Sequence, residues 1–359
     1  MRVLQIINSL DTGGAEQLIV DSVPIYQEKG LEMDVLILKN NKTVFKRELE
    51  QRSSGKIIWL TSSSIYNPLL ILKIIPYFRK YDIIHAHLFP TLYWVVLAKW
   101  FSFSKSKIFY TEHNTENRRR SHFLLKIIDR FIYSKLTFIG CISQGTYDNL
   151  NSHLKKSDRL KVINNGINLK RFKGLNENQK RSFFSKDDTV LIQVSSFKIQ
   201  KDQKTLIETL KYLPDNIKLL LVGDGILRSE REKQVEELNL GSRIKFLGIR
   251  NDVPLLLSSS DIVVLSSFYE GFGLAIVEGM AANKPVVASD VSGLREIVRN
   301  YGLLFEQGNA KDLAKQIMFL YENKELYKRI QKACLDRAKD FQIEKMVDDY
   351  INEYQKEII

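Results

Sequence analysis

Residues 268–290, FYEGFGLAIVEGMAANKPVVASD, place two glutamates, Glu270 and Glu278, either side of seven residues that include Gly271 and Gly273. The apolar run Ile262–Leu265 leads into this loop as a strand, and a helix is expected to begin near Gly273. The amides of Phe272, Gly273 and Leu274 would then be donors without intrahelical partners, and such a terminus attracts phosphate or sugar oxygens. Glu270 stands ahead of the helix, suited to accept hydrogen bonds from sugar hydroxyls. Glu278, about a turn in, is suited to take the two hydroxyls of a ribose, because a carboxylate is an acceptor with about four lone-pair sites. A bare pair at this spacing more often means two solvated glutamates on a capped helix. The EGFG turn and the trailing PVVASD strand favour a binding loop.

Other stretches add candidates. IINSLDTGGAE (6–16) sets Gly13 and Gly14 between a strand and a helix, where free amides can approach a diphosphate. It is not the dinucleotide-binding G-x-G-x-x-G, which argues against a nicotinamide enzyme. VSSFKIQKDQKTLI (194–207) carries Lys198 and Lys201 after another strand, and LLLVGDGILR (219–228) reads as a turn with Asp224 capping the next helix. All five histidines fall in the first half. His85 and His87 end one strand and His113 follows another. His-x-His without a completing Cys or carboxylate cluster predicts no metal site. In NRRRSHFLLKIIDRFIY (117–133), three arginines precede an apolar stripe of Phe123, Leu124, Ile127, Ile128, Phe131 and Ile132. That pattern is either a core helix with a solvated end or an element that docks on an anionic membrane or lipid pyrophosphate, with the Trp94–Trp100 region and Lys99, Lys105 and Lys107 beside it.

These residues need elements to hold them. Strand-length apolar runs occur at Val3–Ile7, Met33–Leu38, Lys56–Leu60, Ile83–Ala86, Ile108–Thr111 and Phe138–Ile142, with helical stretches between most of them. After a polar stretch at 169–188, read as a linker, the alternation resumes at Thr189–Ser195, Lys218–Val222, Ile244–Leu247, Ile262–Leu265 and Pro285–Ala288, and 311–359 reads as helical. Strands alternating with helices imply parallel sheets, so the expected architecture is α/β, two Rossmann-like domains facing across a cleft. Ligands of such sheets bind beyond the carboxyl ends of the strands, where the candidates above fall.

A chain of 359 residues, 44% hydrophobic and 27% charged, is large enough for two cores and too apolar for disorder. No apolar run reaches the length of a spanning helix, and the opening MRVLQII reads as a first strand, not a signal peptide. Cys141 and Cys334 are too far apart in sequence for a metal motif, and a reducing cytoplasm is expected. Of the net charge of +12, residues 1–170 carry 25 basic against 14 acidic side chains, and the remainder is nearly balanced. A one-sided basic surface predicts an anionic partner.

With these residues in view, the chain resembles the retaining glycosyltransferases of family 4, with the GT-B fold, that build bacterial surface polysaccharides. The resemblance covers nearly the whole chain: GGAE near the start, the NNGIN turn (164–168), K-D-Q-x-x-L-I from Lys201, VGDG, FLG and the E-x7-E segment. It implies a domain at 1–168 that binds the acceptor, a linker at 169–188, a nucleotide-sugar domain at 189–340, and a final helix at 341–359 returning to the first domain. It implies a nucleotide-diphosphate sugar donor, a UDP-sugar first, and a saccharide or lipid-pyrophosphate-linked acceptor in capsule, exopolysaccharide or O-antigen synthesis. Neither cofactor nor metal nor nucleic acid is expected, and the location is the cytoplasm, peripheral to the inner face of the membrane through the basic first domain. His113 matches the family's active-site histidine, which donates hydrogen bonds to the transferred sugar, and His85 and His87 fall on the acceptor side. Lys201 matches a lysine that grips the pyrophosphate. The arginine usual beside it is replaced by Ser196, with Lys198 as the substitute cation. The nucleotide base is expected near Ile249–Asp252, beside Arg250. The rival reading, a non-catalytic scaffold subunit of a membrane polysaccharide assembly complex, rests on that missing arginine.

Overall fold

The computed structural model describes residues 1–11, 13–41, 43–115, 117–175 and 183–358. The chain divides into two compact units, one made of Met1–Asn168 with Ile343–Ile359, the other of Leu169–Gln342.

The first unit is built on seven parallel strands: β1 (Arg2–Ile7), β2 (Glu32–Lys39), β3 (Ile57–Thr61), β4 (Ile83–His87), β5 (Lys107–Glu112), β6 (Phe138–Cys141) and β7 (Leu160–Val162). Their order is β3-β2-β1-β4-β5-β6-β7, so the chain reverses direction across the sheet between β1 and β4. The crossovers carry α1 (Gly14–Glu28), α2 (Val44–Arg52), α3 (Leu70–Ile74), α4 (Thr91–Ser102), α5 (Phe123–Tyr133) and α6 (Gln144–Leu154). Both faces of a wound parallel sheet are covered, which is why β1 from Val3 to Ile7 and the whole of β4 are buried at every position and not at alternate ones. The alternation survives in direction. Val3 and Ile7 enter the core under α1, whereas Leu4 and Ile6 enter the core under α4. Gln5 therefore points to the α1 face, and the register β1–β4–β5 sets His85, His87 and Thr111 there too. The sequence reading lacked β7, whose three residues are too few for a periodic signal.

The second unit has six parallel strands: β8 (Thr189–Val194), β9 (Ile217–Val222), β10 (Ile244–Gly248), β11 (Ile262–Leu265), β12 (Val286–Ser289) and β13 (Leu303–Phe305), in the order β10-β9-β8-β11-β12-β13. Its helices are α7 (Gln203–Thr209), α8 (Arg228–Glu237), α9 (Val253–Ser258), α10 (Leu274–Ala281), α11 (Arg295–Val298), α12 (Ala310–Glu322) and α13 (Lys324–Ala338). The strand order reverses between β8 and β11, and the loops after these two strands carry the lysines and Glu270. The missed strand β13 again has only three residues. Of the polar stretch 169–188, Leu169–Phe172 form a short 3-10 turn, and residues 176–182 lie outside the described residues.

The last helix, α14 (Ile343–Lys356), belongs to the first unit. Ile343, Met346, Val347, Tyr350 and Tyr354 fall on one stripe and enter the core under α1. The chain is tied at its return, where the Ile343 amide donates to the Ile167 carbonyl at 3.0 Å.

Candidate functional site

In the second unit the loop after β8 is stitched to the loop after β11. The Phe268 amide donates to the Gln200 carbonyl at 2.8 Å, and the Gln200 side chain donates to the Tyr269 carbonyl at 2.8 Å. Gln193 holds the Lys201 carbonyl at 3.0 Å, and the Ser266 hydroxyl donates to the Asp202 carbonyl at 2.8 Å. This lattice brings the Lys201 ammonium into an ion pair with Glu270. Ser267 donates to the same carboxylate oxygen at 2.7 Å and is itself fixed by Ser289 on its carbonyl at 2.5 Å. Glu270 is 6% exposed and the Lys201 side chain 20%. An ammonium has three donors and Glu270 engages one of them, so Lys201 retains hydrogen-bonding capacity beside the carboxylate.

The helix expected at Gly273 starts one residue later, with Gly273 as its N-cap at φ +82°. This left-handed backbone favours glycine, and a Cβ here would also strike the side chain of Leu294. The amides of Ile276 and Val277 both donate to the Gly273 carbonyl, so those of Leu274 and Ala275 have no acceptor inside the helix. Phe272 is buried and lies edge-on to Phe341, with centroids 5.3 Å apart. Glu278 stands half-buried on the second turn of α10, and Glu270 lies on the loop before it.

Ser196 is uncharged and its carbonyl accepts from the Gln203 side chain at 3.0 Å. Lys198 is exposed, and no carboxylate among the described residues pairs with it. Arg250, also exposed, places its Nε and Nη2 on the two oxygens of Asp252 at 2.8 and 2.7 Å, so its fork is engaged within its own loop. Asp224 does not cap α8 as its sequence context predicts. That helix starts at Arg228 behind Leu227, and Asp224 accepts instead from the Gly225 amide at 2.7 Å.

In the first unit α1 begins at Gly14 with Gly13 as N-cap. The Glu16 carboxylate folds back over Gly13, so the helix terminus is already faced by an anion from its own first turn. Thr12 lies outside the described residues.

The three strand-end histidines form one cluster. His87 Nδ1 lies 3.0 Å from His113 Nε2, and the rings of His85 and His87 stack with centroids 4.5 Å apart. Burial holds all three neutral. It lowers His113 to about 4, and lowers His85 to about 3 with added repulsion from His113. His87 falls well below its ordinary value through burial, then repulsion from His85 and His113. No group of three or more His, Cys, Asp or Glu side chains among the described residues is arranged to hold a metal ion.

The basic helix region is not a core helix with a solvated end. Arg119 and Arg120 turn inward. Asp129, fully buried, lies 3.4 Å from Arg119 Nε and accepts from the Tyr93 hydroxyl at 2.7 Å, while Arg120 donates to Glu112 at 2.7 Å. Tyr133 donates to Glu112 as well. The apolar stripe does not enter the core: Phe123 is 76% and Leu124 72% exposed, Ile127, Ile128 and Phe131 are also exposed, and only Ile132 is buried. Trp100 joins this face with its ring 5.9 Å from Phe131, whereas Trp94 is half-buried and donates to the Ile65 carbonyl at 2.8 Å. No helix among the described residues is long and apolar enough to cross a membrane.

The profile for "Glycosyltransferase Family 4" matches residues 12–171, and that for "Glycosyl transferases group 1" matches residues 176–336, so the two profiles span both units. The chain belongs to the family 4 glycosyltransferases. Its fold is GT-B, and its activity is glycosyl transfer. The N-acetylgalactosamine-N,N'-diacetylbacillosaminyl-diphospho-undecaprenol 4-alpha-N-acetylgalactosaminyltransferase of Campylobacter jejuni is 25% identical over 365 residues, covering 96% of each chain. The N-acetyl-alpha-D-glucosaminyl L-malate synthase of Bacillus anthracis is 27% identical over 75% of this chain and 73% of its own. A crystal structure of HepE from Anabaena in complex with UDP and glucose superimposes with a TM-score of 0.89 at 23% identity, covering 99% of this chain and all of that one.

Several site residues had no signal of their own. Ser267, Ser289 and Gln193 sit in runs that read as plain strand ends. Gln5 and the Tyr350/Tyr354 pair were detectable in principle, as one polar residue within a wholly apolar strand and as two tyrosines four apart on one helix face.

Proposed function

We propose that this glycosyltransferase moves a hexose from a UDP-sugar to a saccharide or lipid-pyrophosphate-linked acceptor with retention of anomeric configuration, without a metal ion or other cofactor. The observation that carries the reading is the Lys201–Glu270 pair, fixed by Ser267 on the loop before the α10 terminus. The bond from the anomeric carbon to the diphosphate breaks as the acceptor oxygen attacks on the same face, and the leaving phosphate oxygen takes the acceptor's proton. No protein base is assigned. Charge grows on the diphosphate, where Lys201, Lys198 and the opening amides of α10 stabilise it. Glu270 orients the sugar through its hydroxyls and Glu278 receives the ribose. His113 serves the transferred sugar, and His85 and His87 stand behind it. The bound UDP of the HepE crystal structure and the undecaprenyl-linked substrate in the Campylobacter relative's name favour this donor and acceptor class.

The exposed stripe of α5 with Trp100 supports a peripheral place on the inner face of the membrane, where a lipid-linked acceptor resides. Arg119 and Arg120 are engaged internally, so the apolar side chains and the flanking lysines make this contact. A thermal-shift screen of UDP-, GDP- and ADP-sugars, followed by transfer assays with and without a chelator, tests the reading. Stabilisation by a UDP-sugar and chelator-resistant turnover are expected. The neutral Ser196 favours the scaffold alternative, and that alternative stands if no nucleotide sugar stabilises the protein or is hydrolysed.

A further inference from the structure

Behind His113 runs a continuous buried chain of hydrogen bonds that reaches the C-terminal helix. His113 Nε2 meets His87 Nδ1 at 3.0 Å, and His87 Nε2 meets Gln5 Oε1 at 2.7 Å. Gln5 Nε2 donates to the Tyr354 hydroxyl at 3.3 Å, and that hydroxyl meets His85 Nδ1 at 2.5 Å. His85 Nε2 then meets Thr111 Oγ1 at 2.8 Å, which meets the Tyr350 hydroxyl at 2.7 Å.

A neutral imidazole has one proton, so along the Gln5–His87–His113 branch choosing the direction at one link chooses it at the next. The link with an asymmetric environment is Gln5. Its nitrogen lies 3.7 Å from the sulfur of Met33 as well as beside Tyr354. A thioether only accepts, so the amide nitrogen belongs on that side and the amide oxygen faces His87. His87 must then carry its proton on Nε2, because an oxygen acceptor faces that atom. A neutral imidazole has one proton, so His87 Nδ1 is an acceptor and His113 must donate from Nε2. On the other branch, Tyr354 accepts from Gln5, and its hydroxyl is shared with His85 Nδ1 and Tyr26. His113 Nδ1 has no partner among the described residues.

We propose that Gln5, anchored by Tyr354, is a positioning residue that fixes His113 as the Nε2–H tautomer, so that its remaining nitrogen, Nδ1, accepts a hydrogen bond from a substrate hydroxyl. This rests on the reading of His113 as a site residue and reverses the role the family resemblance implies: the ring receives a hydrogen bond from the sugar and does not give one.

The test is ¹⁵N-detected histidine NMR on the full chain, read together with transfer kinetics. The wild-type His113 ring should show a protonated Nε2 and a bare Nδ1. In Gln5→Leu, His87 loses its acceptor, so the His113 ring should move toward Nδ1–H and kcat/KM should fall roughly tenfold. Gln5→Glu, which can present an acceptor to His87, should restore the wild-type tautomer. If Gln5→Leu does not fold, Tyr354→Phe removes the outer anchor and should leave His113 as a mixture. A wild-type ring protonated on Nδ1, or a tautomer unmoved by the variants that fold, overturns the proposal. Full transfer activity in His113→Ala would refute the site assignment while leaving the tautomer result standing, so the two failures are distinguishable.

Discussion

Replacing Lys201 by Met removes the ammonium but keeps a similar volume, and it separates two roles that the structure combines. Glu270 is 6% exposed, keeps its 2.7 Å contact with Ser267 and loses its ammonium neighbour. Breaking a fully buried ion pair costs about 3–5 kcal/mol. The Lys201 side chain is 20% exposed, which screens the interaction, so the expected loss falls below that range, at about 2–3 kcal/mol. Adding Glu270→Gln removes the carboxylate charge that faced the ammonium, and the double variant should return to within about 1 kcal/mol of wild type. Turnover should not return. Loss of one donor to the developing diphosphate charge costs about 10²–10³ in kcat, and neither the single nor the double variant supplies it. Urea unfolding of the two single variants and the double gives the stability cycle, and transfer from the nucleotide sugar identified by thermal shift gives the rates. A double variant that recovers both stability and turnover would confine the lysine to a structural role. A Lys201→Met variant as stable as wild type would refute the burial argument.

Acidification should destabilise the first unit before its carboxylates titrate. His85 and His87 are buried and neutral, with folded values depressed below the ordinary 6.5. Their stabilisation is complete above pH 6.5 and is lost as pH falls, at about 1.4 kcal/mol per pH unit for each histidine. The urea midpoint should therefore drop between pH 6.5 and 4, and a flat profile there would contradict neutral burial. Gly293, at φ +87°, lies where a Cβ would strike the Glu270 carbonyl, so Gly293→Ala should cost about 1–3 kcal/mol and lower turnover, checked by unfolding and kinetics. Lys198→Ala should weaken donor affinity or rate without altering stability, and a variant unchanged in both would remove Lys198 from the site. Leu124→Asp with Ile127→Asp should abolish sedimentation with anionic phospholipid vesicles while leaving the unfolding midpoint nearly unchanged, because both side chains are already exposed. Unaltered vesicle binding would exclude this face.

The fold was legible because burial on both faces of a parallel sheet writes itself as apolar runs, and eleven such runs fall on strands of the structure. The short strands β7 and β13 were not, since three residues carry no period. Glu270, Glu278 and Lys201 were recognisable by type and spacing. The contact of Lys201 with Glu270 was not, because it depends on Gln200 bridging two loops almost seventy residues apart. The arginines misled for a related reason. A run of three basic residues looks solvated unless its acidic partners are known, and Glu112 and Asp129 lie on other elements. The apolar stripe of α5 was correctly periodic, but periodicity does not tell which side of a helix meets solvent.

The return of α14 to the first unit has a consequence for biosynthesis. Tyr354 reaches Gln5 across 349 positions of the chain. A ribosome delivers Asn168 on the order of 10–35 s before Ile343, at about 5–20 residues per second. During that interval Gln5, His85 and the apolar floor around them await their cover, exposed to chaperones and proteases. The first domain to emerge is thus the last to mature, and nascent chains halted before residue 343 should be cleaved readily within residues already translated.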